Sequence, residues 1–169
     1  QTCALPIWRY ERPWNRFWTQ HKRDLPFMVY QTKIVDWHEY AEPLSALRYQ
    51  VFVIEQGVPV ELEIDGEDDT ACHVAALIDN NQVIGTGRIL VSGKIGRMAV
   101  RSDMRQQGVG RAVLDALVNQ ARTQGLAGVS LGAQLSAVAF YQRAGFAPKG
   151  DVFIDAGIDH RQMALDFQQ

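Results

Sequence analysis

The chain has 169 residues, 47% hydrophobic and 21% charged, which is ordinary globular composition, enough for one buried core, and excludes a disordered chain. Seventeen Lys and Arg against nineteen Asp and Glu give a net charge of −2, which argues against nucleic-acid binding by phosphate neutralisation. No run approaches about 18 consecutive apolar residues, and two cysteines, Cys3 and Cys72, make neither a disulfide framework nor a zinc site, so a reducing, cytoplasmic setting with no membrane span and no metal is expected.

Residues 1–27 differ from the rest. They hold Trp8, Trp14 and Trp18, and five basic residues (Arg9, Arg12, Arg16, Lys22, Arg23) against Glu11 and Asp24. The remainder then has 12 basic and 17 acidic residues, a charge of −5. The segment shows neither helical nor alternating periodicity, and no apolar core of a secretory signal. A basic aromatic arm for a membrane or nucleic acid and an organellar transit peptide are two readings. The favoured one is that the segment is not native. Its opening QTCALPI is encoded by CAG ACG TGT GCT CTT CCG ATC, a string resembling a common sequencing adapter, and the first methionine is Met28. Residues 1–27 are thus expected to be a non-domain leader, and 28–169 the domain, with Cys72 its lone, buried thiol.

Residues 30–36 alternate loosely and predict a first strand. From about His38 to Gln56, Leu44, Leu47, Val51 and Ile54 recur at helical spacing, with Pro43 near the tolerant start and Gly57 and Pro59 as stops. An acidic run, Glu61 to Asp69, reads as a loop or short irregular turn around Gly66. Strands are expected at 72–78 and 82–90, joined by the turn Asp79-Asn80-Asn81, and at 94–100. A helix opens at Gly108 and runs to about Gln124, with Val109, Val113, Leu114, Leu117 and Val118 inward. Residues 128–134 suit a buried parallel strand, 136–144 a compact helix ending at Gly145, and 146–153 and 161–167 the last two strands. The order predicts an α/β fold: a mixed, mostly antiparallel sheet of six to seven strands with helices on both faces.

Between a strand and a helix lies Arg105-Gln106-Gln107-Gly108-Val109-Gly110. Glycines there let a ligand approach the backbone. A helix opening at that point offers unpaired N–H groups and a positive dipole end, which together suit a diphosphate. A plain glycine turn fits the six residues equally well. A dinucleotide fingerprint would need glycine at Val113, and a Walker loop would need Ser or Thr at Ile95.

This segment resembles the R/Q-x-x-G-x-G/A signature of the GCN5-related N-acetyltransferases. IGRMAV (95–100) before it and AFYQRAGF (139–146) after it match two further elements of that family in order and spacing, and the likeness extends over the chain from Met28. VFVIEQGVP, the acidic stretch before His73, and GIDH resemble the ElaA-like branch. The resemblance implies the acyl-CoA N-acyltransferase fold, with strands 94–100 and 128–134 splayed around the pantetheine arm of acetyl-CoA. It implies that the backbone of Met98, Ala99 and Val100 binds that arm and polarises the thioester carbonyl. Arg105 belongs to the matched signature. The N–H groups of Gln106, Gln107, Gly108, Val109, Gly110 and Arg111 would hold the pyrophosphate. Tyr141 matches the family tyrosine near the sulfur, where a phenol of pKa about 10 is a reasonable proton donor to a leaving thiolate of about 8.5 or somewhat above; packing beside Phe140 and Phe146 is its bland alternative.

The expected reaction is acetyl transfer to a primary amine by direct attack in a ternary complex. Glu55 and His160 are candidate bases; His73 reads as structural. Attack without a dedicated base is the alternative. The acidic run would draw a cationic small-molecule or peptide amine, or would merely be solvated. Arg48, Phe52, Glu63, Asp65, Asp68 and Arg88 also resemble the ion-pair network of acyl-homoserine-lactone synthases; pinning the loop to the first helix is the plain alternative for the same residues. Those enzymes use S-adenosylmethionine and are the second reading; a non-catalytic acyl-CoA-binding module is the third. A homodimer is expected at family level only.

Overall fold

The structure, a computed structural model, describes residues 29–79 and 81–167. The leader, Cys3 and the basic aromatic arm lie outside them. Strand β1 (Gln31–Val35) leads into α1 (Trp37–Arg48), whose N-cap Asp36 accepts a hydrogen bond from the His38 N–H at 2.8 Å. Pro43 stands inside α1 rather than near its start. It is exposed, so the carbonyl it leaves without an N–H partner can meet water.

The helix predicted to Gln56 changes character at Tyr49. Residues Tyr49–Glu55 form a π-helix, whose wider i→i+5 turns shift the helical phase. Val51 therefore stays buried while Ile54, at the same helical spacing in the sequence, is 58% exposed. The acidic run is partly helical: α2 covers Val60–Glu63 and a 3₁₀ turn covers Asp68–Thr70.

Strands β2 (Cys72–Ile78), β3 (Gln82–Ile89) and β4 (Ile95–Val100) follow as expected and pair antiparallel in the order β1-β2-β3-β4. A second sheet has the order β5-β7-β6, from β5 (Gly128–Gln134), β6 (Ala147–Asp155) and β7 (Ile158–Asp166). Helix α3 spans Val109–Thr123, and α4 spans Val138–Arg143 after a 3₁₀ turn.

Successive residues of β2 point to opposite faces. Val74, Ala76 and Ile78 pack under α3 with Val113, Leu114 and Leu117, while Ala75 and Leu77 pack under α1 and the π-helix with Leu44, Leu47 and Val51. Helices thus cover both faces. In the last turn of α3, Ala121 is buried and Val118 only partly so. Glycines of β3 let α3 lie close: a Cβ on Gly85 would stand 2.7 Å from Val109 Cγ1, and one on Gly87 2.8 Å from Leu117 Cδ1.

The β6–β7 hairpin is tighter than the sequence suggested. Asp155 pairs with Ile158, and Ala156 and Gly157 have φ of +50° and +76°, as a two-residue primed turn requires. His160 consequently lies within β7, paired with Gln134 of β5 and Phe153 of β6, rather than before the strand. Alanine is an uncommon residue for that turn, which removes the usual hairpin signal.

Candidate active site

The two sheets meet where β4 and β5 run parallel, and only at one end. Lys94 and Ser130 form a parallel bridge, and the Ser130 N–H donates to the Gly93 carbonyl at 3.0 Å. From there the strands diverge. The opening is a cleft of about 1040 Å³.

The cleft collects most of the residues singled out in the sequence. Met98, Ala99, Val100, Arg105, Gln106, Gly108, Gly110, Arg111, Tyr141 and His160 line it. Gln107, Val109 and Glu55 do not. The Gln107 side chain folds back, Nε2 donating to the Asp103 carbonyl at 2.8 Å, and the Val109 side chain is in the core. At these two positions only backbone can face a ligand.

The glycine loop is shaped by two residues with positive φ, Gln106 at +62° and Gly108 at +85°. Gly108 is the N-cap of α3 and offers no side-chain cap; the first helical bond runs from the Ala112 N–H to its carbonyl at 3.0 Å. The amides ahead of Ala112 are the ones a helix start leaves unpaired. A Cβ on Gly108 would lie 3.2 Å from the Tyr30 hydroxyl. Gly108→Val should therefore distort the loop as well as crowd it, and acetyl-CoA binding by calorimetry should fall below detection while far-UV circular dichroism stays that of a folded chain.

A bulge in β4 escaped the sequence. Thr86 pairs with Ala99 and Arg88 with Gly96, so Arg97 and Met98 both oppose Gly87, and the ladder is broken there. Arg97 has φ of +52°, a conformation costly for a side chain with a Cβ. Its guanidinium is anchored: Nε donates to the Glu63 carbonyl at 3.1 Å, and Nη2 to the Leu62 carbonyl at 3.0 Å and to Asp65 at 2.8 Å. Nothing in the spacing of IGRMAV signals this.

Tyr141 reaches across from α4, its hydroxyl 3.7 Å from Met98 Sδ, with its ring edge-on to Phe140 at 4.9 Å between centroids. Burial pushes its phenol up to about 12, so it is protonated at neutral pH. His160 has Nδ1 2.8 Å from the Ile158 carbonyl. A carbonyl only accepts, so Nδ1 carries the proton in that bond and Nε2 of the neutral ring is the basic nitrogen. The ring stacks on Phe153.

Glu55 is ion-paired with Arg105 at 2.5 Å, while Arg105 Nε also donates to the Val100 carbonyl at 3.0 Å. Arg105 therefore ties the π-helix to the end of β4. His73 is 1% exposed, stacked on Trp37, with Nε2 2.8 Å from the Asp68 carbonyl. Burial lowers its pKa against the opposing pull of Asp68. Cys72 is half-buried, and burial raises its thiol pKa, which makes it a poor nucleophile.

The acidic run is split: Glu63 and Asp68 are buried, while Glu61, Asp65, Glu67 and Asp69 are exposed. Arg48 pairs with Glu63 and, at 2.8 Å, with Asp68; Arg88 pairs with Asp65 and, at 2.5 Å, with Asp68. Glu63, Asp65 and Asp68 are thus paired within the protein, while Glu61, Glu67 and Asp69 stay exposed to solvent. Burial works to raise the Asp65 pKa, but the Arg88 hydrogen bond, the Glu67 N–H and the charges of Arg97 and Arg88 outweigh it and hold it at about 2. Among the described residues no three His, Cys, Asp or Glu gather as for a metal ion, and no helix is long and apolar enough to cross a membrane.

Comparison with known proteins agrees with this geometry. The acetyltransferase (GNAT) domain family matches residues 39–167. The chain is 38% identical over 124 residues to the uncharacterized N-acetyltransferase YjcF of Bacillus subtilis, covering 71% of this chain and 88% of that one. It is 34% identical to Escherichia coli ElaA over 134 residues, 75% of this chain and 87% of ElaA. The ElaA crystal structure superposes with a TM-score of 0.71 at 30% identity, covering 79% and 98% of the two chains. An acyl-CoA N-acyltransferase from Pseudomonas aeruginosa gives 0.70 at 29% identity, covering 80% and 97%. Splayed strands, an uncapped glycine loop and a matching family profile over most of the chain agree: this protein belongs to the GNAT family of N-acetyltransferases.

Proposed function

We propose that this chain moves an acetyl group from acetyl-CoA to a primary amine by direct attack in a ternary complex. The observation that carries the reading is the continuous cleft between β4 and β5, with the glycine loop and Tyr141 both on its wall. The residues fit the donor. Backbone N–H groups from Gln106 to Arg111 face a diphosphate site at the start of α3, and Gly96 leaves the β4 wall open, with nothing within 4 Å of where a Cβ would be. Acetyl-CoA supplies the activated acyl carbon and a thiolate leaving group.

The protein supplies the rest. Bulged backbone at Met98 is free of the regular pairing with β3 and, with Ala99 and Val100, polarises the thioester carbonyl, a preorganised oxyanion site. His160 Nε2 takes the amine proton, directly or through water. It is preferred over Glu55, whose carboxylate is held by Arg105 and fixes the loop. Tyr141 donates a hydrogen bond to the sulfur as it leaves. With a phenol near 12, complete proton transfer to a thiolate of ordinary pKa is uphill, so the donor acts by hydrogen bonding as charge develops.

Titration calorimetry of the full chain with acetyl-CoA tests the reading, and S-adenosylmethionine is the comparison. Saturable binding of acetyl-CoA without S-adenosylmethionine supports it. Binding of S-adenosylmethionine would favour the synthase-like reading, which the Arg48–Asp68–Arg88 network keeps in view. Tyr141→Phe should lower kcat in a thiol-release assay about a hundredfold with the acetyl-CoA Kd unchanged. Full activity would leave Tyr141 as packing.

A further inference from the structure

Resting on the acetyl-transfer reading, the structure assigns an acceptor class: we infer a small primary amine with an apolar body and no second positive charge. The charge on the wall is the first observation. Five cations line the cleft, Lys94, Arg97, Arg105, Arg111 and Arg143, against three carboxylates, Glu63, Asp65 and Asp155. Glu63 and Asp65 are already held by Arg48, Arg88 and Arg97. Asp155 remains, exposed near the β6–β7 turn. Arg97, Arg105 and Arg111 are in turn held by Asp65, Glu55 and Asp115, which leaves Lys94 and Arg143 against Asp155 among the described lining residues, and no cluster of unpaired carboxylates on that wall to hold the second ammonium of a polyamine or a lysine-rich peptide.

The second observation is what the uncharged wall presents. Val51, Phe52, Val58 and Leu62 from the π-helix and α2 side share the cleft with Phe153 and Ile158 of the β6–β7 hairpin. Leu62 is 54% exposed and Phe153 39% exposed, apolar area that an apolar acceptor would cover. Between the end of β5 and the end of the π-helix the cleft is bridged by amides: Gln134 Nε2 donates to Gln56 Oε1 at 2.8 Å. An amine lodged here loses water, which disfavours its ammonium form and yields the neutral nucleophile. A modest base such as the His160 imidazole is then sufficient.

The test is acetyl-CoA-dependent thiol release by the full chain with 2-phenylethylamine, butylamine, pentylamine, hexylamine, spermidine, glucosamine and an N-acetylated lysine peptide. The kcat/KM for 2-phenylethylamine and hexylamine should exceed that for spermidine, glucosamine and the peptide by at least about tenfold, and should rise roughly fourfold per methylene from butylamine to hexylamine. Leu62→Ser should lower the hexylamine value severalfold at unchanged acetyl-CoA Kd. Asp155→Asn should leave the preference intact. Preference for spermidine or the peptide, loss of amine use in Asp155→Asn, or no turnover of any amine by a chain that binds acetyl-CoA would each overturn the assignment. Failure to bind acetyl-CoA at all would instead overturn the acetyl-transfer reading beneath it.

Discussion

Arg97→Ala should cut kcat about ten- to a hundredfold while leaving the acetyl-CoA Kd within about threefold, because one preorganised oxyanion donor is worth roughly that much or more. The bulge at Arg97 and Met98 exists against local preference: a φ of +52° is unfavourable for any residue with a Cβ. Three hydrogen bonds to Leu62, Glu63 and Asp65 hold it there. Removing the guanidinium leaves the strain without its restraint, and the Met98 amide then loses the aim at the thioester carbonyl that we propose for it. Arg97→Gly separates the two effects, since glycine accepts the φ but lacks the anchor. If Arg97→Gly matches wild type while Arg97→Ala does not, backbone conformation alone matters. If both retain full kcat, the anchor plays no part in positioning. Arg97→Lys, which keeps charge and one donor group, should recover part of the loss.

Asp68→Ala should be the most destabilising single change in the acidic segment, costing about 3–5 kcal/mol. Asp68 bonds Arg48 at 2.8 Å and Arg88 at 2.5 Å, and both guanidiniums are almost wholly buried, at 2% and 3% exposure. Deleting the carboxylate leaves two buried cations short of a partner, a larger penalty than the net worth of the pairs themselves. Urea unfolding of the full chain measures it, and a change of under about 1 kcal/mol would contradict the account. The same network sets an acid limit. Asp65 and Asp68 have lowered folded pKa values, so their contribution is present above the ordinary carboxylate range and is lost as pH falls below it, for Asp65 toward about 2. His73 is also lowered, so its contribution is present above about pH 6.5 and fades below it. All three signs agree: stability should decline from near neutrality downward, first with His73 and then with the carboxylates. In Asp68→Asn the carboxylate step should shrink.

The chain order of the elements was legible because each rests on local chemistry. Val109, Val113, Leu114 and Leu117 repeat at helical spacing, Gly108 supplies the left-handed entry to α3, and Gly125 its end. The glycine loop could be named because it is a contiguous motif, and the splayed strand pair and Tyr141 because the resemblance carried by IGRMAV and AFYQRAGF implied them. What failed was phase and ending. Ile54 turned outward where the helix widened, and His160 fell inside β7 because Ala156-Gly157 makes a two-residue turn without the residues that usually announce one.

By itself the sequence determined the order of the elements, the two faces of the core and an uncapped helix start at a glycine loop, all of them interactions between near neighbours in the chain. Only the tertiary structure decided which charges remain available. Arg48 meets Glu63 across 15 residues, Arg97 reaches Asp65 across 32, and Arg105 reaches Glu55 across 50. Ion pairs at such separations depend on how the π-helix, the acidic segment and β4 converge, and no local spacing encodes that. Convergence made Glu63, Asp65 and Asp68 a brace, took Glu55 out of the cleft wall and locked a bulge into β4, because a buried charge must find its partner wherever the fold brings one within reach.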